Sequence, residues 1–155
     1  MQFEDYLQIR NLMNTYAHLM DQAKHEEVGQ LFAHADVYFP GDVVYRHDAK
    51  GLTAMFNKWN KVYEDTGTLR TRHVTTNVIL EDDGPNGAKA QAYVVVFQAT
   101  PGFPLQPVIA GTYLDRFEKV AGKWRFKERR EEPSKFELLG DLSHHLAISY
   151  DPKLG

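Results

Sequence analysis

The sequence predicts an α+β fold, with helices first and then an antiparallel meander of long strands that curves against them. Two observations predict it. In the first and third segments the apolar residues recur at steps of three and four, whereas from His73 onward the period changes to two. The period-two region is also broken by turn sequences, Asp82-Asp83-Gly84-Pro85-Asn86-Gly87 and Val120-Ala121-Gly122-Lys123, rather than by further helical stretches. A strongly bent sheet closed by helices leaves a cavity between the layers, where a ligand would sit.

Each element follows from local pattern. Tyr6, Ile9, Met13, Tyr16 and Met20 line one face of a first helix. A shorter second helix is expected from about Glu26 to Phe32, with Val28, Leu31 and Phe32 inward. Val37-Tyr38-Phe39 and Val43-Val44-Tyr45 read as extended pieces across the turn Pro40-Gly41-Asp42. Gly51 precedes a third helical pattern, Leu52, Met55, Phe56, Trp59, Val62 and Tyr63, which Thr66-Gly67 ends. Strands are then expected around His73–Leu80, Ala88–Ala99, Val108–Lys119 and Trp124–Arg130. Pro101-Gly102-Phe103-Pro104 closes the second of these and opens a longer loop. The tail carries Phe136, Leu138, Leu139, Leu142 and Leu146, apolar enough to dock.

At 155 residues the chain fits one domain, residues 1–155, with a core fold over about 1–133 and a C-terminal tail at 134–155 that could lid the pocket. A hydrophobic fraction of 43% and a charged fraction of 25% are those of an ordinary globular protein. No apolar run approaches the roughly 20 residues of a membrane span. Met1-Gln2-Phe3-Glu4-Asp5 lacks the basic start and apolar core of a secretory signal, so a cytoplasmic location is expected. A net charge of −3 argues against a nucleic-acid partner, because counterion release at phosphates needs a concentrated basic face. Lys127, Arg129 and Arg130 are followed by Glu131 and Glu132, which reads as a solvated, salt-bridged strand end. Without cysteine there is no thiolate nucleophile, disulfide or Cys-based zinc site.

Asp21, near the end of the first helix, and His73, entering a strand, are the residues that suggest chemistry. An imidazole oriented by a carboxylate is poised to take a proton near neutral pH. Asp21 has two structural alternatives, capping the following helix or sitting exposed at the end of the first. A carboxylate at a helix C-terminus opposes the macrodipole, which disfavours the second.

The order of elements, together with Ile9-Arg10-Asn11-Leu12 through Tyr16-Ala17 to Asp21, Leu31-Phe32 before Asp36, Arg72-His73, Thr76-Asn77, Gly111-Thr112-Tyr113 through Asp115-Arg116-Phe117, and Gly122-Lys123-Trp124-Arg125-Phe126, resembles the SnoaL-like proteins of the nuclear-transport-factor-2-like superfamily. The resemblance implies a cystatin-like, cone-shaped barrel whose N-terminal helices pack on a curved, mainly antiparallel sheet. It also implies an apolar pocket and no cofactor. Relatives include scytalone dehydratase, hexachlorocyclohexane dehydrochlorinase and polyketide cyclases, besides protein-binding members and small subunits of ring-hydroxylating dioxygenases. In the dehydratase and the dehydrochlorinase an Asp late in the first helix pairs with a His at the start of a meander strand, and Asp21 and His73 match those positions. The dehydratase's second histidine, on the next strand, has no counterpart in Tyr93-Val94-Val95-Val96-Phe97.

Around this dyad, Tyr16, Asn77, Tyr113, Phe56 and Trp59 are the expected substrate-binding residues. Tyr16 lies on the apolar stripe of its helix, and core packing is the simpler role for it. Asn77 shares strand parity with His73, and Tyr113 with Asp115, whereas Arg116 faces outward to a surface ion pair. Arg129 is expected outside, opposite in parity to Trp124, Phe126 and Glu128. His144 and His145 are adjacent and lack the i, i+4 spacing of a helical zinc site, and His25, His34 and His47 are scattered near expected loops, so no metal is predicted. The tail histidines could cover the pocket mouth.

Together with the resemblance, these residues imply a cofactor-independent lyase or isomerase acting on a small hydrophobic, cyclic or aromatic molecule by His–Asp proton abstraction. The alternatives are a non-catalytic binding or oligomerisation module of the same fold, or a dioxygenase small subunit. Exposed strand faces of such a sheet pair between subunits, so a homo-oligomer is expected, a dimer ahead of a trimer.

Overall fold

The computed structural model describes residues 1–131 and 138–148. Within them, helices α1 (Phe3–Asp21), α2 (His25–Leu31) and α3 (Ala49–Trp59) pack on a curved sheet. The sheet comprises β1 (Asp36–Phe39), β2 (Val43–Arg46), β3 (Thr71–Asp82), β4 (Gly87–Thr100), β5 (Phe103–Val120), β6 (Lys123–Glu131) and β7 (Leu138–Leu139). Its order is β2-β1-β6-β5-β4-β3, with β7 paired to β5. Only the β1–β6 pairing is parallel among the described strands.

Alternation on β4 fixes which sheet face meets the helices. Ala88, Ala90, Ala92, Val94, Val96 and Gln98 are buried, and Tyr93 between them is half exposed. The stripe Ile9, Met13, Tyr16 and Met20 of α1 belongs to the same core as that face, in which the Phe126 ring packs at a tilt against Phe32 and Phe117 with centres 4.6 and 4.9 Å away. Tyr6, expected on the stripe, is instead exposed. Asp5 holds the buried place in that turn because the indole N–H of Trp124 needs an acceptor there. Its carboxylate accepts from Trp124 Nε1 at 2.8 Å and Lys119 Nζ at 2.7 Å, and also from the Gln2 N–H in the capping box of α1.

Four further differences from the expected elements share one cause, the choices that tertiary pairing imposes on the backbone. The third helix stops at Trp59 rather than running through Tyr63. Asn60 is extended and bridges Leu146 of the docked tail, and the Lys61 N–H donates to the His145 carbonyl. The loop expected after Gly102 is absent, for β5 resumes at Phe103, and register shifts against β4 accommodate Pro104 and Pro107 within the strand. On β3, Asn77 has φ +53° in a bulge between Thr76 and Ile79. On β6, Arg116 pairs with Glu128 but Phe117 pairs with Phe126, so Lys127 is an extra residue.

The tail docks over residues 138–148. Phe136 and Glu132, named among the tail and strand-end residues, lie outside the described ones. No helix among the described residues is long and apolar enough to cross a membrane.

Candidate active site

Asp21 is the last residue of α1, and β3 passes beside it. Thr71 Oγ1 donates to Asp21 Oδ1 at 2.7 Å, and the His73 backbone N–H reaches both carboxylate oxygens at 3.1 and 3.0 Å. His73 Nδ1 lies 2.6 Å from Oδ1. Burial alone would raise the Asp21 pKa, but the hydrogen bonds and charge of His73, together with Thr71, outweigh it and hold the group below the usual carboxylate value. These donors also offset the unfavourable helix C-terminus, so Asp21 is neither a helix cap nor a free surface carboxylate. An ionised Asp21 assigns the ring proton of His73 to Nδ1 and leaves Nε2 with its lone pair.

His73 lines a cavity of about 220 Å³ between the helices and the sheet. Tyr16, Tyr113, Phe56 and Trp59 also line it, as do Met55, Asn60 and Glu131, which were not among the expected substrate-binding residues. Phe56 is buried, whereas Trp59 is 37% exposed and sits at the rim. Asn77 is not among the lining residues. Its bulge reverses the alternation, so Asn77 is exposed and Val78 takes the inward place.

Arg129 is the main reversal. The extra residue Lys127 shifts parity by one, so Arg129 follows Phe126 to the inner face and is 1% exposed. It makes a bidentate pair with Asp115, Nε and Nη2 each 2.7 Å from a carboxylate oxygen. Its guanidinium carbon lies 3.9 Å from the Tyr113 ring centre and 4.5 Å from that of Tyr16. Burial would lower its pKa, but the Asp115 carboxylate raises it further, so the group stays charged. Asp115 carried a signal that could have located this pair. It shares inward parity with Tyr113 and Phe117, and a carboxylate there demands a buried cation. The neighbouring charges follow the expected surface pattern, Arg116 pairing with Asp83 and Arg130 with Glu128.

Tyr16 stands edge-on to both His73 and Tyr113, with ring centres 6.3 and 5.9 Å apart. Burial pushes its pKa up to about 12 and lifts that of Tyr113 well above the ordinary value, so both hydroxyls stay protonated as donors. Across the cavity the docked tail contributes His145 and Leu146 to the lining. His25, placed near a loop by its sequence context, instead opens α2 and is buried against α3, its Nδ1 2.8 Å from Asn57 Oδ1.

The fold, helices packed on a curved and mainly antiparallel sheet, is similar to that of solved structures described as cystatin-like and nuclear-transport-factor-2-like. The SnoaL-like domain model matches residues 1–130, and the chain belongs to that family. Among solved structures, an Asp-to-Asn variant of Rv3472, a Mycobacterium tuberculosis protein of unknown function, is 26% identical with TM-score 0.68, covering 84% of this chain and 77% of that one. A candidate scytalone dehydratase from Novosphingobium aromaticivorans is 18% identical with TM-score 0.66, covering 95% of each chain. A nuclear-transport-factor-2-like protein with a cystatin-like fold from the same organism is 19% identical with TM-score 0.68, covering 83% and 80%. No functionally curated protein matches the chain.

Proposed function

We propose that the protein is a cofactor-independent lyase or isomerase that removes a proton from carbon beside the carbonyl of a small, hydrophobic, cyclic or aromatic molecule. The observation that carries this reading is the 2.6 Å contact of His73 Nδ1 with Asp21 Oδ1 on the wall of an apolar cavity. Nε2 of His73 takes the proton, and Asp21 holds the tautomer and stabilises the imidazolium that forms. Elimination, double-bond shift and intramolecular aldol closure share this first step. The protonated hydroxyls of Tyr16 and Tyr113 suit them to bind a substrate oxygen, with Phe56 and Trp59 against its apolar body. A cavity of about 220 Å³ lies below the usual 300–1,000 Å³ of ligand pockets, which favours a substrate of one or two rings.

The test is exchange of the α-protons of cyclohexanone in deuterated water, followed by proton NMR. The wild type should accelerate exchange and His73→Ala should fall to the buffer rate, while unfolding free energy changes by less than about 2 kcal/mol. Equal rates in the two proteins would overturn the assignment.

A homodimer belongs to the same proposal. Val74, Ile79, Tyr93 and Leu138 are 42–73% exposed, and Tyr93 and Leu138 line one groove on the outer face of β4 and β5. An apolar sheet face of this kind suits a second copy of the chain.

A further inference from the structure

His145 has no role in proton abstraction by His73, yet it lines the same cavity, with the two ring centres 6.4 Å apart. The residue is 5% exposed, and its Nδ1 is buried without a hydrogen-bond partner in the protein. The backbone around it is well held. The His145 carbonyl accepts from the Lys61 N–H at 3.0 Å, the Ala147 N–H donates to Trp59 at 2.8 Å, and the His144 carbonyl accepts from Gln98 Nε2 and Tyr63 Oη at 2.8 and 2.7 Å. The segment is therefore pinned by its main chain while one imidazole keeps unused hydrogen-bonding capacity. A buried polar atom left unpaired is costly, and the cavity that His145 lines gives a ligand room to supply the missing partner.

We propose that His145 is a catalytic residue of this site, an imidazole N–H donor to the substrate oxygen on which charge develops as His73 removes the proton. The inference rests on His73 being the base. The C–H bond breaks, its electron pair forms the new C=C bond, and the carbonyl π pair moves to oxygen. The proton ends on His73 Nε2, and the oxygen accepts from His145. Return of the proton to another carbon, or departure of a β-hydroxyl with it as water, completes the turnover.

The site favours an uncharged donor here. Burial first, and then the charge of His73, lower the His145 pKa to about 4, with Asp21 opposing them, so the ring is neutral at pH 7. A neutral donor adds no second cation beside the imidazolium of His73, and polarises the oxygen without losing its own proton. The substrate class is thereby narrowed to enolisable ketones whose carbonyl oxygen faces the tail and whose acidic carbon faces β3.

The probe is 4-nitrophenol, a planar phenol whose oxygen stands in for the enolate oxygen. Affinity is read by absorbance titration for the wild type, His145→Phe, which keeps a ring and loses the N–H, and His145→Gln, which keeps a donor. His145→Phe should bind about tenfold more weakly or worse, and His145→Gln within about threefold of wild type. Wild-type affinity in His145→Phe, or no binding by the wild type at millimolar concentration, overturns the proposal. If His145→Phe does not fold, the ring nitrogen-15 signals of wild-type His145 decide, since 4-nitrophenol should shift them and an unmoved spectrum overturns the proposal. Ketone exchange separates the two readings. Exchange lost in His73→Ala with His145→Phe unimpaired in both assays removes only this inference; exchange unchanged in His73→Ala removes the base and this inference together.

Discussion

Asp21 and His73, 52 residues apart, meet through three contacts: both carboxylate oxygens accept the His73 backbone N–H, and one accepts its ring Nδ1. One carboxylate thus sets both the path of β3 and the tautomer of the imidazole. Asp21→Asn keeps the volume but removes the charge that fixes Nδ1–H, and it should cut ketone exchange by about 100-fold or more. Asp21→Ala adds a structural loss, because Thr71 Oγ1 and the His73 N–H are left without acceptors. Urea unfolding should show a deficit of about 1–3 kcal/mol for each buried group unpaired.

Acid should destabilise the protein in two stages. The folded-state pKa of His145, about 4, lies below its ordinary value of 6.5, so the unfolded chain binds the extra proton between those values. Stability is complete above about pH 6.5 and falls by up to about 3 kcal/mol as pH drops to 4. His25, also lowered by burial, acts in the same direction. Asp21 is lowered from 3.8, so its contribution is present above that value and is lost only as pH falls through its folded pKa. Denaturant midpoints at pH 7 and pH 4.5 should differ, and less so in His145→Phe.

Arg129→Met leaves Asp115 charged and unpaired in the core. Breaking a buried pair in this way costs about 3–5 kcal/mol, visible as a large drop in Tm. The double variant Arg129→Met with Asp115→Leu removes both charges and should recover most of the loss. Failure to recover would mean that the guanidinium stacked on Tyr16 and Tyr113 stabilises the fold beyond its ion pair.

Gly29 packs α2 against α3 without a side chain. A Cβ there would stand 2.5 Å from the Ala49 carbonyl oxygen and closer still to Thr53 Oγ1. Gly29→Ala must push backbone aside, so a thermal melt should report a loss of about 1–3 kcal/mol.

Tyr93→Lys places a charge on the outer sheet face without touching the inner one. Sedimentation should show dimer for the wild type and monomer for the variant, with α-proton exchange retained in folded protein. A wild type that is monomeric at high concentration would refute the dimer.

The helix-then-meander order, the α1 stripe apart from Tyr6, and the shared face of Tyr113 and Asp115 on β5 were legible in the sequence, because a period of 3.6 or 2 is a local property of side-chain direction. Asp21 and His73 could be named because their residue types and places matched a family pattern; of the apolar candidates around them Tyr16, Tyr113 and Phe56 are buried, while Trp59 stands exposed at the rim. Parity fails wherever one strand gains a residue over its neighbour. Asn77 and Lys127 each mark such a bulge, and each reverses the alternation of its strand, taking Asn77 out of the cavity and carrying Arg129 into the core. The early end of α3 and the arrival of His145 depend on main-chain bonds between residues far apart in the chain, which no local pattern encodes. The sequence by itself determined the layers and offered Asp21 and His73 as candidates; tertiary pairing alone decided that the two meet and which polar groups share the cavity with them, because register is settled between strands and not within one.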